Sequence, residues 1–245
     1  MPDWVRIADP EAISRASPAA ASGLAIQGEA TVQCMTSPGG VPTDCTVISE
    51  TPAGLGFGRA SLAAVQFYRF PVQQSDGFKV AGNLVRVPVR FEVPPGDPLN
   101  LAKAYQAPAR PERQRRLARQ VVGLYTPPNW WADRMDAAMA GVPLDAPSGE
   151  EARLWADLRT AMAAAIEAGL PRLLDALALE IAAKTPEAVL QRLLAPNPPA
   201  EVVAIANQMI RTSSFPTDQP YVLGEVARMR DDARARFCKT RACGG

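Results

Sequence analysis

Four cysteines are the residues of this sequence with the clearest chemistry. Cys34 and Cys45 are separated by ten residues, and Cys238 and Cys243 by four. Neither interval is the two-residue spacing typical of zinc sites and thioredoxin-like redox motifs. Histidine is absent from the 245 residues, so a zinc site would need all four thiolates from two distant pairs. Disulfide bonds in an oxidising compartment therefore explain the cysteines better than four reduced thiols in a cytosolic protein.

The lack of histidine also restricts catalysis, because histidine is the side chain most often used for proton transfer near neutral pH. The adjacent carboxylates Glu150–Glu151 and Asp231–Asp232 are directed to different helix faces, so we interpret them as surface and capping charges. The sequence contains no glycine loop suited to phosphate. We expect no enzymatic activity, no cofactor and no metal ion. The alternative is an enzyme that uses Asp, Glu and Arg at a site between two domains, and no motif supports it.

A basic run lies in the middle of the chain and contains one acid, Glu112. Nucleic acid or anionic lipid is one interpretation of such a run, and a solvated helix face or a linker between domains is the other. The net charge of the chain is only +1, and no aromatic residues interleave, so we favour the second. The run consists of Arg110, Arg113, Arg115, Arg116 and Arg119.

Two tryptophans, Trp130 and Trp131, follow Pro127–Pro128 and Asn129. An aromatic pair of this kind is found in binding sites, but it more often anchors the start of a helix in the core. We predict the anchoring role.

A hairpin is predicted around the first pair of cysteines. Residues 28–36 and 43–50 both alternate between apolar and polar side chains, as half-buried strands do. A two-residue turn at Gly39–Gly40 suits such a hairpin and places Cys34 directly opposite Cys45. Cross-strand neighbours lie close enough for a disulfide bond. Cys238 and Cys243 are predicted to close a small loop at the C-terminus, with a frayed tail of free thiols as the alternative.

Residues 84–93 alternate strictly and predict a further strand. Pro88 has no N–H to donate, which places this strand at the edge of a sheet or turns the proline nitrogen towards solvent. A helix is predicted over residues 56–68. The first part of the chain is thus an α+β unit, with helices on one face of a small antiparallel sheet.

The sequence after Pro94–Pro95–Gly96 has helical periodicity almost throughout. Ser148 and Glu151 have the spacing of a capping box. Pro171 is predicted to begin a new helix, since proline is common at the first helical position. Three more helices are predicted after Thr185, around Val202–Ile210 and around Val222–Phe237. We expect a first domain of residues 1–96, followed by an all-α bundle of five or six helices in residues 97–245.

The first unit resembles the C-terminal domain of the TonB family, over about residues 3–94. The resemblance rests on the order and spacing of several segments, of which no single one is diagnostic. They are Asp3–Trp4, Pro18–Ala21, the cysteine-bearing hairpin, Val47–Gly54, Gly56–Gly58, the Ala-rich helix ending at Phe70–Pro71, Asp76–Gly77, Val80 and Val87–Phe91.

This resemblance implies a function in the periplasm. Domains of the family bind a short extended segment of an outer-membrane transporter, which adds a strand to the sheet edge and transmits force from an inner-membrane motor. Carried over to this sequence, the peptide-binding edge is the last strand, with residues Leu84, Val85, Arg86, Val87, Val89, Arg90 and Phe91. Full transducers also carry a membrane anchor and a Pro-rich spacer, which do not occur in this sequence. Its N-terminus does not resemble a signal peptide, so we expect a leader to be missing from the sequence as given.

Two functions follow as hypotheses. The first is a periplasmic binding or scaffolding module, whose partner is a protein or extended peptide of the cell envelope, with no nucleic acid and no span of the membrane. The second is a structural or assembly protein, whose helical domain binds an envelope partner and whose TonB-like domain no longer transduces energy.

Overall fold

The structure is a computed structural model. It describes residues 13, 15–71, 73, 77, 79–93, 96–105, 109–127, 129–130, 149–211, 219–241 and 243. Two compact units divide the chain: residues 1–94, 147–159 and 234–245 form one, and residues 95–146 and 160–233 form the other. The division into domains of residues 1–96 and 97–245 stays a prediction.

The first unit contains the strands of the described chain. Its elements within residues 1–94 are helix α1 (Ala19–Gly23), strands β1 (Gly28–Thr36) and β2 (Pro42–Thr51), helix α2 (Phe57–Val65) and strand β3 (Leu84–Phe91). The three strands form an antiparallel sheet in the order β2–β1–β3. All regular structure described between residues 96 and 211 is helical, so the predicted α+β class with a helical continuation is confirmed.

One face of the sheet is buried by helix α2. Alternate residues of β1 and β3 face this helix because successive side chains of a strand lie on opposite faces. Phe57 begins the helix and is fully buried, and its ring centroid lies 5.4 Å from that of Phe91 on β3. The sheet residues buried on this face include Ala30, Val32, Cys34, Val87, Val89 and Phe91.

The turn of the hairpin differs from the prediction. Ser37 pairs with Val41, because the Ser37 N–H donates to the Val41 carbonyl at 2.8 Å. The Gly40 N–H donates to the Ser37 carbonyl at 2.9 Å, and Gly40 has φ of +73°. The loop therefore has three residues, Pro38 to Gly40, and the predicted two-residue turn at Gly39–Gly40 is wrong. Three-residue hairpin loops commonly end on a left-handed residue, and glycine adopts that conformation without strain.

A bulge in β2 compensates for the longer loop. Met35 pairs with Thr43 and Gln33 with Thr46, so β2 has one residue more than β1 between these pairs. Asp44 lies in this interval with φ of +49°. The extra residue returns Cys45 to the position opposite Cys34, and the two form a disulfide bond with Cα atoms 4.0 Å apart. The predicted pairing of these cysteines is confirmed.

Six helices follow in the described chain: α3 (Pro98–Ala102), α4 (Glu112–Tyr125), α5 (Glu150–Lys184), α6 (Glu187–Leu193), α7 (Ala200–Arg211) and α8 (Pro220–Thr240). Helix α5 runs continuously through Pro171, so the prediction that Pro171 begins a helix is wrong. An internal proline costs about 3 kcal/mol because it removes a helical hydrogen bond. Leu173, Leu177 and Ile181 follow it on the same helix and are buried, and this burial offsets the cost.

The second unit has an apolar core of its own. Trp130 is buried there, and its Nε1–H donates to the carbonyl of Ile210 at 2.8 Å, which is the anchoring role predicted for it. Trp131 and Ser148 lie outside the described residues. The core cluster includes Val121, Val122, Leu173, Leu177, Ile181, Leu190, Leu193, Val202, Ile210 and Val222.

The predicted basic run lies mostly on helix α4 and is largely paired. Arg113 contacts Glu187 at 3.0 Å, and Arg119 contacts Asp175 at 2.9 Å. Arg115 pairs with Glu112 on its own helix. These contacts belong to a solvated helix face, the interpretation favoured from the sequence.

The C-terminal cysteines also form a disulfide bond. Cys238, in the last turn of α8, is bonded to Cys243, and their Cα atoms are 5.2 Å apart. The predicted C-terminal loop is confirmed. In the part of the chain that the structure describes, no helix combines the length and the apolar character needed to cross a bilayer.

Candidate strand-binding edge

Strand β3 lies at one edge of the sheet. It pairs with β1 in an unbroken register, from Met35 opposite Leu84 to Gly28 opposite Phe91. Among the described residues no segment pairs with its other side. The edge position predicted from Pro88 is thus the observed one. The predicted peptide-binding residues all belong to this strand: Leu84, Val85, Arg86, Val87, Val89, Arg90 and Phe91.

The direction of the main-chain groups of β3 follows from one hydrogen bond. The N–H of Thr36 donates to the carbonyl of Asn83 at 3.1 Å, immediately before β3 begins. Residue pairs of an antiparallel ladder alternate between hydrogen-bonded and non-hydrogen-bonded kinds. Because the register continues without a bulge, the odd-numbered residues of β3 bond to β1. The even-numbered residues therefore direct their N–H and C=O groups away from the sheet.

Pro88 belongs to this outward-facing set. Its position opposite Thr31 is a non-hydrogen-bonded pair, so the nitrogen without a hydrogen faces the open side and costs the sheet no bond. The open edge offers N–H donors from Leu84, Arg86 and Arg90. It offers carbonyl acceptors from these three residues and from Pro88. A strand added here would form main-chain hydrogen bonds along the edge, except for the N–H that Pro88 lacks near the centre.

The structure divides the predicted peptide-binding residues into two groups. Val87, Val89 and Phe91 are buried under α2, and Val85 on the same face is half-buried. The main-chain groups of these four residues bond to β1. Leu84, Arg86 and Arg90 are exposed on the opposite face and have outward main-chain groups. The second group therefore supplies the main-chain groups and the exposed side chains that an added strand would contact. The sequence pattern gave both faces of the strand, but it did not show which main-chain groups face outward.

Two arginines of β3, Arg86 and Arg90, lie on the exposed side of the edge. The Nε of Arg90 lies 3.2 Å from a carboxylate oxygen of Glu29, which is its neighbour on β1. The Nε of Arg86 donates to the amide oxygen of Gln33 at 3.2 Å, and this neighbour is neutral. The charge of Arg90 is therefore paired within the sheet. Arg86 hydrogen-bonds to a neutral amide, and no acidic side chain among the described residues pairs with it.

Two side chains that the sequence analysis missed hold the elements around the sheet. The carboxylate of Glu50 on β2 accepts hydrogen bonds from the N–H groups of Gly54, at 2.5 Å, and Gly58, at 2.6 Å. Gly58 lies in the first turn of α2, where unpaired N–H groups and the helix dipole favour a negative charge. An acidic residue shortly before a glycine-rich helix start is the signal that points to this contact.

Thr36 is the second of these side chains. Its hydroxyl is buried and donates to the carbonyl of Val80, and it lies 3.1 Å from the carbonyl of Asn83. The Thr36 carbonyl accepts from the N–H of Gly82 at 2.7 Å. These contacts fix the segment that leads into β3, and so they support the register of the edge.

A cleft of about 340 Å³ lies in the second unit. The ring of Tyr105 contacts that of Tyr221 edge-on, with centroids 5.4 Å apart. The pKa of the Tyr221 hydroxyl is raised above its ordinary value, and burial is the main cause. Glu225 pairs with Arg172 at 3.3 Å and also with Arg228. The carboxylate of Glu225 therefore forms ion pairs with arginines on two helices.

Comparison with known proteins identifies the unit that carries the edge. Residues 16–93 match the family model described as Gram-negative bacterial TonB protein C-terminal. These residues are similar to the C-terminal domain of TonB proteins. The resemblance stated for residues 3–94 is thus confirmed over the matched range. The matched range contains the hairpin, helix α2 and all of β3.

A relative from Caulobacter vibrioides, described as an uncharacterized protein, is 36% identical over 64 residues. The alignment covers 26% of this chain and 64% of that protein, so the chain spans less than two thirds of its relative's length. No solved structure matches the chain significantly.

Proposed function

We propose that this chain is a periplasmic binding module, whose TonB C-terminal domain takes up an extended segment of an envelope protein by strand addition at β3. The observation that carries the proposal is the outer side of β3, which pairs with no described segment and has outward-facing N–H and C=O groups. Strand addition is a general mode of peptide recognition in which main-chain hydrogen bonds supply the affinity. TonB-dependent transport, with an outer-membrane transporter as the partner, is the specific process that the family suggests.

A role without catalysis is part of the proposal. Backbone pairing needs no reacting group, no cofactor and no metal ion. The lack of histidine in the whole sequence agrees with this role.

Amide hydrogen exchange of the full chain tests the proposal directly. In the free protein, the outward amides of Leu84, Arg86 and Arg90 should exchange quickly, and those of Val87 and Val89 slowly. Addition of peptides from the N-terminal segments of outer-membrane transporters should protect the outward amides. Protection that appears only elsewhere in the chain would refute strand addition at β3.

A pair of variants makes the test sharper. Arg86→Pro removes a second outward donor, and Arg86→Ala removes the same side chain but keeps the donor. Peptide binding should be weaker in Arg86→Pro than in Arg86→Ala. The slow exchange of Val87 and Val89 serves as the control that the sheet is intact in both variants.

The alternative is a structural or assembly protein in which this edge takes up no strand. Pro88 favours it, because an outward proline and charged side chains are devices that protect sheet edges from pairing. Under this alternative, the outward amides exchange quickly in the presence of every transporter peptide.

A further inference from the structure

We infer that the edge of β3 selects an extended segment that carries an acidic residue at the position opposite Arg86. This inference rests on the proposed strand addition and names the chemistry of the partner. It concerns one side chain and one position of the added strand.

The first step is the geometry of the added strand. Even-numbered residues of β3 have outward main-chain groups, so each would pair directly with one residue of an added strand that runs antiparallel to β3. Directly opposite residues have their side chains on the same face, with Cβ atoms about 4.5–5.5 Å apart. The partner residue opposite Arg86 would therefore lie beside its guanidinium group on the exposed face of the sheet.

The second step is the difference between the two arginines. Arg90 already has an acidic neighbour on its inner side, Glu29, at 3.2 Å. Arg86 has the neutral Gln33 in the equivalent place, and no ion pair of Arg86 occurs among the described side chains. An acidic residue added on the outer side would thus compensate a free charge at Arg86, but it would share an already paired one at Arg90.

The third step concerns Pro88, which lies between the two arginines. The partner residue opposite Pro88 has no N–H from β3 to bond to its carbonyl. Main-chain hydrogen bonding therefore contributes less to binding at the centre of the ladder. Side-chain contacts at the neighbouring positions then account for a larger share of the binding free energy. The position opposite Arg86 becomes the one where charge discriminates most between partner segments.

The experiment uses three labelled ten-residue peptides of alternating threonine and valine, with glutamate, glutamine or lysine at one central position. Their affinity for the full chain is measured by fluorescence anisotropy at low salt, and the binding edge is identified by amide exchange. The glutamate peptide should bind about 1.5- to 5-fold more tightly than the glutamine peptide, as expected for one cross-strand charge pair. The lysine peptide should bind most weakly.

Two variants assign the effect to its residue. Arg86→Gln should abolish the preference for glutamate, whereas the matched variant Arg90→Gln should retain it. Both substitutions leave the main-chain donors unchanged, so binding of the glutamine peptide is the internal control in each variant.

The outcomes separate this inference from the proposed function. If all three peptides protect the outward amides of β3 with equal affinity, strand addition stands and acidic selection is wrong. A preference that disappears in Arg90→Gln and persists in Arg86→Gln also overturns the inference. If no peptide protects these amides, the proposed function itself fails, and the inference falls with it.

Discussion

Gly28 lies against the ring of Phe57 so closely that a methyl group has no room between them. A Cβ atom built on Gly28 would lie 2.3 Å from Cε2 of the ring. Gly28 begins β1 and pairs with Phe91 on β3, and the ring of Phe91 contacts that of Phe57. The contact between Gly28 and Phe57 thus packs the first residue of helix α2 against the end of the sheet that carries the strand-binding edge.

Gly28→Ala should therefore destabilise the first unit. Phe57 is fully buried, so its ring can move only by displacing its neighbours, and overpacking of this kind costs about 1–3 kcal/mol. The free energy of unfolding in urea, followed by a signal from the sheet, measures the effect. Gly23→Ala is the control, since a Cβ at Gly23 has nothing within 4 Å. Equal stability of the two variants would contradict the close packing of Phe57.

Gly40→Ala tests the three-residue hairpin loop. Gly40 has φ of +73°, and a Cβ there would lie 2.1 Å from the carbonyl oxygen of Phe70. The left-handed conformation costs a non-glycine residue about 1–3 kcal/mol, and the overlap with a main-chain atom adds to that cost. Gly39→Ala is the matched control, because nothing lies within 4 Å of its Cβ position. A larger loss of stability in Gly39→Ala than in Gly40→Ala would restore the two-residue turn.

The cysteine pairing was predicted correctly because the longer hairpin loop and the bulge in β2 shift the strand register in opposite directions. The loop has one residue more than the Gly39–Gly40 turn would have, and the bulge at Asp44 adds one residue to β2. Their combined effect leaves Cys34 opposite Cys45, so a correct pairing does not reveal either irregularity. Side-chain alternation fixes which residues are buried, but a left-handed aspartate gives no comparable signal.

The position of Pro171 inside a continuous helix could not be predicted from the local sequence. Proline has the same sequence signature at the first position of a helix and inside one, and the difference is decided by tertiary burial. Leu173 and Leu177 pack into the core of the second unit, and this packing keeps the helix continuous. The Pro88 nitrogen is the opposite case, because a proline within a strand is tolerated where its nitrogen bonds to no neighbouring strand, and the outward direction is thus suggested by the sequence.

Glu50→Ala tests the contact that joins β2 to the start of helix α2. The carboxylate accepts two main-chain N–H groups, and hydrogen bonds to a charged group contribute about 1.5–3 kcal/mol each. We expect a loss of at least one such contribution in the free energy of unfolding. Glu29→Ala removes a carboxylate from an exposed pair on the same sheet and should cost about 0–1 kcal/mol. A small effect of both substitutions would show that the glycine amides are satisfied without Glu50.

Pro88→Ala tests the direction of the edge and the proposed function together. The substitution restores an N–H at a position that faces away from β1, so the sheet gains no internal bond. An added strand gains one hydrogen bond, which is worth about 0.5–1.5 kcal/mol or about 2- to 12-fold in affinity. Titration of the full chain with a peptide that protects the β3 amides measures the change. Thr46→Ala is a control on the far strand and should leave the affinity unchanged. Equal or weaker binding by Pro88→Ala would mean that the Pro88 nitrogen does not face the bound strand.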